Sequence, residues 1–475
     1  MKNLWKKIAS LTLAAVALCS MTSCFEQENV INAYDIAVKN GFVGTEEDWL
    51  LSLQGANGED GDDLDIIDLY EAAKKDGFVG SLTEFIQSLS VSVQENNDTQ
   101  IISKNLTSVV SITCGFIKTT VKGNYWNQYE EKTVTGSEGS GVVVHLEKNR
   151  GVAYIVTNYH VVYDVNSDDG ISQHIWIYPY GARDTFTKGD IDNGVPPGDA
   201  EGGDGIRATF IGGAMGYDIA LLQVNSTDIV DSVLTEATLG DSNAVTVGEK
   251  THVIGNAKGK GLSATTGILS VEAESITMKS ADTLRTVNFR VMRTDAAINN
   301  GNSGGGLFNA DGHVIGIVNA KNIAENTENM GYALPITQVK YLLQSIWDNK
   351  TASKAGYATR AVIGIETYIQ NSKAVYEEGK IRIEESFLVS KVFDYGAVGE
   401  GNPTAFKVGD EFVSMTHNGV TTKLTRRYYM NDLLLTVRKG DTVVFTVLRE
   451  AAGVGKTEVQ VSVVFDKNDY FTVFA

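Results

Sequence analysis

A serine enclosed by glycines is the first feature of the sequence that could do chemistry. Residues Gly301–Gly306 read GNSGGG, with Ser303 in the middle. A serine hydroxyl is a weak nucleophile, so acyl transfer needs a base beside it and backbone N–H groups directed at the developing oxyanion. Glycines on both sides allow the main chain to turn so that the N–H groups of Gly301 and Ser303 converge. By itself the segment could equally be a plain glycine turn.

Two other segments could supply the base and the group that orients it. His160 follows the apolar run Ala153–Val156, and a histidine at the end of a rigid strand can be held in place as a general base. Asp218 opens the apolar run Ile219–Leu222, where a carboxylate can accept the imidazole N–H and stabilise the imidazolium. Each also has a purely structural interpretation, as a packed histidine or a surface aspartate.

The order of the three residues along the chain links them. Histidine, aspartate and serine follow one another as in chymotrypsin, whereas subtilisin and the α/β-hydrolases use other orders. The remaining histidines have no comparable setting after a strand; they are His145, His174, His252, His313 and His417. The sequence therefore predicts a catalytic triad of His160, Asp218 and Ser303.

Short apolar runs must position these side chains. From about residue 105 such runs alternate with glycine and polar turns, a pattern typical of an antiparallel sandwich or barrel. The runs are Val109–Ile117, Gly141–His145, Ala153–Thr157, Ile175–Tyr178, Ile219–Val224, Val253–Gly255, Val287–Met292 and Val314–Val318. The 475 residues include 48 glycines and 5 prolines, which suits a β-rich chain with many tight turns. A chain of this length predicts two or three domains.

The motifs resemble those of the HtrA/Deg serine proteases, which have a trypsin-like fold. The matching segments are Gly139–Val143, Thr157–Val162, Asp218–Leu222, Ile254–Asn256, Thr294–Gly305 and Gly331–Ile336. The resemblance covers about residues 105–350 and implies a mainly β, chymotrypsin-like double β-barrel, assigned to residues 100–350. It implies that His160 is the general base, Asp218 its orienting partner and Ser303 the nucleophile.

The same resemblance implies the surroundings of the nucleophile. An oxyanion hole would form at Gly301, Asn302 and Ser303, and Asn302 stands where digestive trypsins carry aspartate. The segments Ala296–Asn300 and Asn319–Tyr332 would border a specificity pocket, which in this family prefers small or medium apolar side chains. No aspartate lies six residues before Ser303, so cleavage after Lys or Arg is disfavoured.

The segment 360–467 resembles a PDZ domain. Val362, Ile363, Gly364 and Ile365 resemble the carboxylate-binding loop, which implies that C-terminal peptides bind there and add an extra strand. Other matches to bacterial PDZ modules are Phe406–Phe412 and Lys439–Val443. A β-rich domain that only packs on the protease is the alternative.

The secondary structure of this C-terminal part can also be predicted. A helix over Pro335–Lys350 should close the protease domain, and a polar link over Thr351–Thr359 should follow. A second helix is predicted over Arg426–Val437. The strand-like runs are Phe387–Val392, Glu411–Thr416, Thr442–Arg449 and Glu458–Val464.

Residues 1–24 have the pattern of an export signal. Basic residues precede the apolar run Ile8–Leu18, which is too short to remain as a spanning helix, and small residues follow it. The segment Thr22–Cys24 resembles a bacterial lipobox, which implies lipidation of Cys24. The resemblance implies an exported lipoprotein anchored on the extracytoplasmic face of a bacterial membrane.

Two similar stretches lie within residues 25–95, at about 34–53 and 70–89. The copies start 36 residues apart, within the range of helical repeats. Each predicts a short helix that ends at a glycine and a second helix that begins at Thr45 or Ser81. An acidic, glycine-rich linker separates them. The repeats could bind an envelope partner or serve as a spacer.

Charge and cysteine content narrow the chemistry. The formal charge of −19 would repel phosphate backbones, so nucleic acid is not expected as a partner. Beyond the signal, Cys114 is the one cysteine, and its apolar neighbours predict a buried strand residue and not a nucleophile. No motif requires a cofactor or a metal.

Three functions fit these features. The first is an ATP-independent serine endopeptidase outside the cytoplasm that cleaves unfolded or misfolded exported proteins. The second is a scaffold that binds peptides and does not cleave. The third is a dedicated processing or signalling protease with one membrane-bound substrate. The resemblance also leaves a homotrimer possible, although the sequence identifies no trimer contact.

Overall fold

The computed structural model describes residues 66–75, 78–81, 98–182, 204–320, 330–377, 379–398 and 406–474, together with Val38, Val43, Thr45 and Phe85. The chain divides into two compact units, Met1–Asn97 and Asp98–Ala475. Among the helices of these residues, none combines the length and the apolar character needed to cross a membrane.

The first unit contains helix α1 (Ile66–Lys75), which begins four residues before the second predicted repeat. The rings of Tyr70, Phe78 and Phe85 pack together with centroids 5.5–6.3 Å apart, and the Tyr70 hydroxyl donates to the Gly80 carbonyl. These aromatic contacts fold the chain back after the helix. The signal segment, Cys24 and most of the first repeat lie outside the described residues.

The second unit begins with α2 (Asp98–Leu106) and a closed six-stranded barrel. Its strands are β1 (Val109–Asn124), β2 (Asn127–Glu147), β3 (Val152–Thr157), β4 (His174–Tyr178), β5 (Ile206–Ala214) and β6 (Ile219–Asn225). They follow the order β5-β4-β1-β2-β3-β6, and pairing of β5 with β6 closes the ring. Apolar side chains such as Ile112, Ile155 and Leu222 fill the interior and are fully buried. Short helices α3 (Tyr159–Val162) and α4 (Asp228–Asp231) follow β3 and β6.

A second closed barrel carries the segment around Ser303. Its strands are β7 (Lys250–Gly255), β8 (Ser263–Lys279), β9 (Thr286–Thr294), β10 (Gly306–Asn309), β11 (Val314–Asn319) and β12 (Gly331–Pro335). They close in the order β10-β11-β12-β9-β8-β7. Helix α5 (Ile336–Asp348) then packs its apolar face on the protease core. The predicted mainly β fold with two barrels is confirmed.

The C-terminal domain is a further β domain, as the PDZ resemblance implies. Its elements are β13 (Gly356–Ala361), β14 (Ile365–Glu377), β15 (Lys380–Val392), β16 (Glu411–His417), β17 (Val420–Lys423), α6 (Arg427–Leu433), β18 (Thr442–Ala451), β19 (Gly455–Val464) and β20 (Phe471–Phe474). The main sheet has the order β14-β15-β16-β18-β19. Its own core is built around Phe412, whose ring stacks on Phe387 and meets Phe445 edge to face.

Two features of this domain differ from the prediction. Part of the predicted polar link Thr351–Thr359 belongs to β13, which pairs in parallel with β5 through Gly356 opposite Gly212. The chain also continues past residue 467 into β20, which pairs with β13. Both strands are short, so neither contains enough alternating apolar and polar residues to be predicted as a strand from the sequence. Strand β13 is held by pairing with the first barrel, and β20 by pairing with β13.

Candidate active site

The strand pairing of the first barrel brings His160 and Asp218 together. Strands β3 and β6 are antiparallel, with Thr157 opposite Ala220, so the end of β3 lies beside the beginning of β6. His160 lies in α3, just after β3. Asp218 precedes β6 and ends the 3-10 turn Met215–Tyr217 with a positive φ of 55°. This conformation is uncommon for a residue with a side chain, and it directs the carboxylate towards α3.

The side chains of His160, Asp218 and Ser303 form a hydrogen-bonded chain. Nδ1 of His160 lies 2.7 Å from Oδ2 of Asp218, and Nε2 lies 3.0 Å from Oγ of Ser303. The backbone N–H of His160 also donates to Oδ1 of Asp218 at 2.9 Å. A carboxylate can only accept, so Nδ1 carries the hydrogen and Nε2 is free to accept from the serine hydroxyl. This geometry permits proton transfer from Ser303 to His160.

Asn319 is a site residue that the sequence analysis missed. At the end of β11 its Nδ2 donates to Oδ2 of Asp218 at 2.9 Å, within a buried environment. Asn158 adds a second contact, from its Nδ2 to the backbone carbonyl of Asp218 at 3.0 Å. The sequence placed Asn319 only at the border of the specificity pocket. The available signal was a polar residue at the end of an otherwise apolar strand.

The loop before Ser303 is held in a conformation that leaves two backbone N–H groups, those of Gly301 and Ser303, available to a ligand. Lys258 donates its backbone N–H to the carbonyl of Asn300 at 2.7 Å. Because the C=O and N–H of a trans peptide point in opposite directions, the N–H of Gly301 faces away from Lys258. Ser140 donates its hydroxyl to the carbonyl of Gly301 at 2.7 Å, which fixes the next peptide. Within the described part of the chain, the N–H groups of Gly301 and Ser303 have no acceptor.

Asn302 does not join the predicted oxyanion hole. Its N–H donates to the carbonyl of Asn299 at 3.0 Å, so this donor is used inside the turn. The predicted set of three is therefore corrected to the N–H groups of Gly301 and Ser303. The side chain of Asn302 is 2% exposed and packs against Gly255, and among the described residues its Oδ1 has no hydrogen-bond partner.

One wall of the predicted specificity pocket is described, and it is apolar. Ile298 lies directly against Gly331, because a Cβ built on this glycine would come within 2.6 Å of the isoleucine side chain. Ala296 and the apolar cluster of the second barrel pack behind Ile298. Residues 321–329 of the opposite border lie outside the described residues.

The predicted carboxylate-binding loop of the C-terminal domain is held through its carbonyl groups. The carbonyls of Val362, Ile363 and Gly364 accept the N–H groups of the segment 393–398 at 2.8–3.0 Å. Ile365 begins β14, opposite Val392. The N–H groups of Ile363 and Gly364 find no acceptor among the residues that the structure describes.

Cys114 is excluded as a competing nucleophile. It lies in β1 with no exposed surface, and burial raises the pKa of its thiol far above the usual range. A thiol reacts as the thiolate, so this residue is inert at neutral pH.

Comparison with known proteins finds similarity to serine proteases. A family model described as a trypsin-like peptidase domain matches residues 139–317. The chain is 28% identical to the serine protease Do-like HtrA of Lactococcus lactis subsp. cremoris (strain MG1363), over 76% of this chain and 82% of the relative. It is 30% identical to the serine protease Do-like HtrA of Bacillus subtilis (strain 168), over 69% of this chain and 64% of the relative. A solved structure, the HtrA-type protease AlgW with tripeptide, is 20% identical with a TM-score of 0.45, over 79% of this chain and 96% of that one.

The sequence matches and the two-barrel architecture agree with each other. The matched residues 139–317 lie within the two barrels, whose strands run from Val109 to Pro335. The similarity to the curated relatives covers a larger share of the chain than that domain, 76% and 69%. The chain is a serine endopeptidase with a trypsin-like peptidase domain, and it is similar to serine proteases of the HtrA type.

Proposed function

We propose that this chain is an extracytoplasmic, ATP-independent endopeptidase that cleaves unfolded or misfolded exported proteins with His160, Asp218 and Ser303 as its catalytic triad. The observation that carries the proposal is the continuous contact from Asp218 through His160 to Ser303, at 2.7 and 3.0 Å. A base within hydrogen-bond distance of the nucleophile, itself oriented by a buried carboxylate, is the arrangement that serine hydrolysis requires.

The first half of the reaction forms an acyl-enzyme. Oγ of Ser303 attacks the carbonyl carbon of the scissile bond while its proton passes to Nε2 of His160. The N–H groups of Gly301 and Ser303 stabilise the negative oxygen of the tetrahedral intermediate. The C–N bond then breaks, and His160 returns the proton to the leaving amine. Asp218 stays ionised and stabilises the imidazolium throughout.

The second half releases the product by the same groups. Water attacks the ester carbon while His160 takes one of its protons. Collapse of the new tetrahedral intermediate breaks the bond to Oγ of Ser303, which receives the proton back from His160. The peptide leaves as a carboxylic acid, and the enzyme regains its starting state without ATP or a cofactor.

The binding surfaces favour unfolded polypeptide as substrate. The described wall of the specificity pocket is formed by Ile298 and Gly331, which suits an apolar side chain of limited size. Such side chains are buried in folded proteins and become accessible when a chain unfolds. An extended backbone is also required for the carbonyl to reach the N–H groups of Gly301 and Ser303.

The open oxyanion loop argues against the scaffold alternative. A protease domain that no longer cuts would need no free N–H groups beside Ser303, yet the contact from Lys258 to Asn300 directs the N–H of Gly301 into the site. A dedicated processing protease would share this geometry, and it differs only in the range of substrates that it cleaves.

C-terminal peptides are proposed as ligands of the second domain. The N–H groups of Ile363 and Gly364 are oriented by carbonyl contacts on the other side of the loop. Two or more such N–H groups can bind a terminal carboxylate, and the exposed edge of β14 could pair with the peptide. A fluorescent peptide with a free C-terminus should bind, and the same peptide amidated at its end should not.

Anchoring by lipid at Cys24 and assembly as a homotrimer are further parts of the proposal. The lipobox-like segment Thr22–Cys24 supports the anchor. In bacterial cells, an alkyne-tagged palmitate should label the wild-type protein, and Cys24→Ala should abolish labelling. Light scattering of the purified protein gives its subunit number, and a monomeric mass would exclude the trimer.

A digestion assay tests the proposed activity. The purified protein should degrade unfolded casein without ATP and leave a stably folded globular protein intact. The matched variant Ser303→Ala should bind casein and degrade none of it. Degradation of the folded control at the same rate would contradict the preference for unfolded chains, and cleavage confined to one protein in an envelope extract would favour the processing alternative.

A further inference from the structure

The C-terminal end of the chain lies against the turn that presents Asp218. Strand β13 adds to the first barrel beside β5, and β20 pairs with β13 through Ala358 opposite Phe474. Strand β5 ends at Ala214, and the 3-10 turn Met215–Tyr217 follows at once. The last strand of one domain therefore reaches the element of the other domain that holds the aspartate.

Phe474 and Arg360 contact this turn directly. The rings of Phe474 and Tyr217 meet edge to face with centroids 4.8 Å apart. Gly216 is so close that a Cβ built on it would lie 2.7 Å from the Phe474 ring. Arg360 donates from Nη1 to the Tyr217 hydroxyl at 3.0 Å, and its guanidinium lies 5.6 Å from the Phe474 ring. We name Phe474, Arg360 and Tyr217 the C-terminal clamp.

The turn needs support from outside. Asp218 holds a left-handed φ of 55°, and within the turn its N–H makes a single backbone contact, to the Met215 carbonyl at 3.2 Å. A residue with a side chain keeps such a conformation only where its surroundings determine it. On the carboxylate side the support comes from His160 and Asn319. On the opposite side of the turn it comes from the C-terminal clamp.

The two aromatic residues of β20 pack in different domains. Phe471 packs near Phe465 in the core of the C-terminal domain, with ring centroids 6.1 Å apart. Phe474, three residues later on the other face of the strand, packs with the protease core. A displacement of the C-terminal domain would therefore move Phe474 relative to Tyr217.

We propose that Phe474, Arg360 and Tyr217 are positioning residues, and that the docked C-terminal strand holds the Asp218 turn in the conformation that catalysis requires. The inference rests on the proposed role of Asp218 in the triad. It adds that this role depends on the far C-terminus of the chain, beyond the region that resembles the protease.

Substitutions in β20 test the clamp with a matched control. Phe474→Ala removes the ring that covers the turn, whereas Val473→Ala removes apolar atoms from the neighbouring residue, which is 52% exposed. Phe474→Leu keeps apolar bulk against Tyr217. On a chromogenic peptide, Phe474→Ala should lower kcat about tenfold or more with KM within twofold, because displacement of a catalytic group by about 1 Å costs up to about 100-fold. Val473→Ala should match the wild type, and Phe474→Leu should recover most of kcat.

Hydrogen exchange gives a second readout that does not depend on activity. Amides of residues 214–220 should exchange at least fivefold faster in Phe474→Ala than in Val473→Ala. Unchanged exchange in this segment would overturn the proposal, and so would faster exchange with a wild-type kcat. An increase in exchange throughout the protein, with kcat and KM both changed, would show general destabilisation and also overturn it. A separate variant tests the proposed role of Asp218 in the triad. If that role is wrong, Asp218→Asn should retain the wild-type kcat.

Discussion

At the scale of single residues, the site depends on how the carboxylate of Asp218 is held. The buried carboxylate accepts from the ring and the backbone N–H of His160, and from Asn319. A carboxylate with several donors stays in one orientation, and so does the imidazole that it contacts. His160 and Ser303 could be identified from the sequence because each lies in a distinctive motif. Asn319 could not, because its role arises only when β11 is placed beside the first barrel.

Removal of the Asn319 contact should weaken catalysis without weakening substrate binding. Asn319→Ala deletes one donor to the charged carboxylate, and such hydrogen bonds contribute about 1.5–3 kcal/mol. Water and the remaining donors to Asp218 replace part of this stabilisation. We therefore expect kcat to fall about tenfold with KM unchanged. Steady-state kinetics on a chromogenic peptide provide the measurement. A wild-type kcat would show that the two donors from His160 alone hold Asp218.

At the scale of elements, the site forms where chain segments of both barrels meet. Ser140 on β2 donates its N–H to the carbonyl of Ser303 at 2.8 Å and its hydroxyl to Gly301. The loop after β7 supports the same segment through Lys258. The segment around Ser303 is therefore held from the first barrel as well as from the second, to which it belongs.

Gly301 offers a prediction with an unusually close control. It has φ +93°, and a Cβ there would lie 2.1 Å from the carbonyl oxygen of Asn256. Gly248 has φ +92°, and a Cβ there meets nothing within 4 Å. Both alanine variants strain the backbone alike, by about 1 kcal/mol, but Gly301→Ala must also displace the oxyanion loop. We expect Gly301→Ala to lose about 100-fold or more in kcat, the cost of a misplaced oxyanion donor.

Kinetics and thermal unfolding of the two variants separate the effects. Gly248→Ala should be slightly less stable than the wild type and fully active. Equal activity of both variants would contradict the assignment of the Gly301 N–H to the oxyanion hole.

His252 on β7 should make stability depend on pH. Burial, the largest effect, lowers the pKa of its imidazole, and the charge of Lys250 acts in the same direction, whereas Asp98 opposes them. The unfolded chain then binds more protons below about pH 6.5 than the folded one, so stability is lost as pH falls through that value. His252→Asn should reduce the loss of unfolding free energy between pH 7.5 and 5.5 by up to about 1.4 kcal/mol.

Urea titrations at the two pH values measure this difference. His313→Asn, at a partly exposed position of the same barrel, is the matched control for the loss of a histidine. A His252→Asn variant with the full wild-type pH dependence would show that another group is responsible.

The sequence predicted short, buried strands better than long, exposed ones. Six of the eight predicted barrel runs and helix α5 lie within three residues of the observed elements, because each contains enough apolar residues to show its period. Strands β1 and β2 continue well beyond their predicted runs as a largely exposed hairpin, and β5, β8, β10 and β12 were not predicted as strands. The predicted helix Arg426–Val437 is shorter in the structure, at Arg427–Leu433. Strands β13 and β20 depend on neighbours more than 100 residues away in the chain, so their own residues carry little signal.

At the scale of the whole second unit, the protease and the C-terminal domain are joined through side chains as well as through β13 and β20. Arg290 on β9 pairs with the buried Asp432 on α6, which also accepts from Gln338 at 2.8 Å. The guanidinium of Arg290 lies 3.7 Å from the ring centroid of Tyr428. The family resemblance predicted both domains, but the extent of their contact is apparent only from the structure.

Covalent labelling of Ser303 tests the central claim most directly. The purified full chain is incubated with a fluorophosphonate probe, digested and examined by mass spectrometry for the modified residue. The account predicts one adduct, on Ser303, with a labelling rate that falls at least 100-fold in His160→Ala because the base is lost. Absence of labelling in the wild type, or an adduct on another serine that persists in Ser303→Ala, would contradict it.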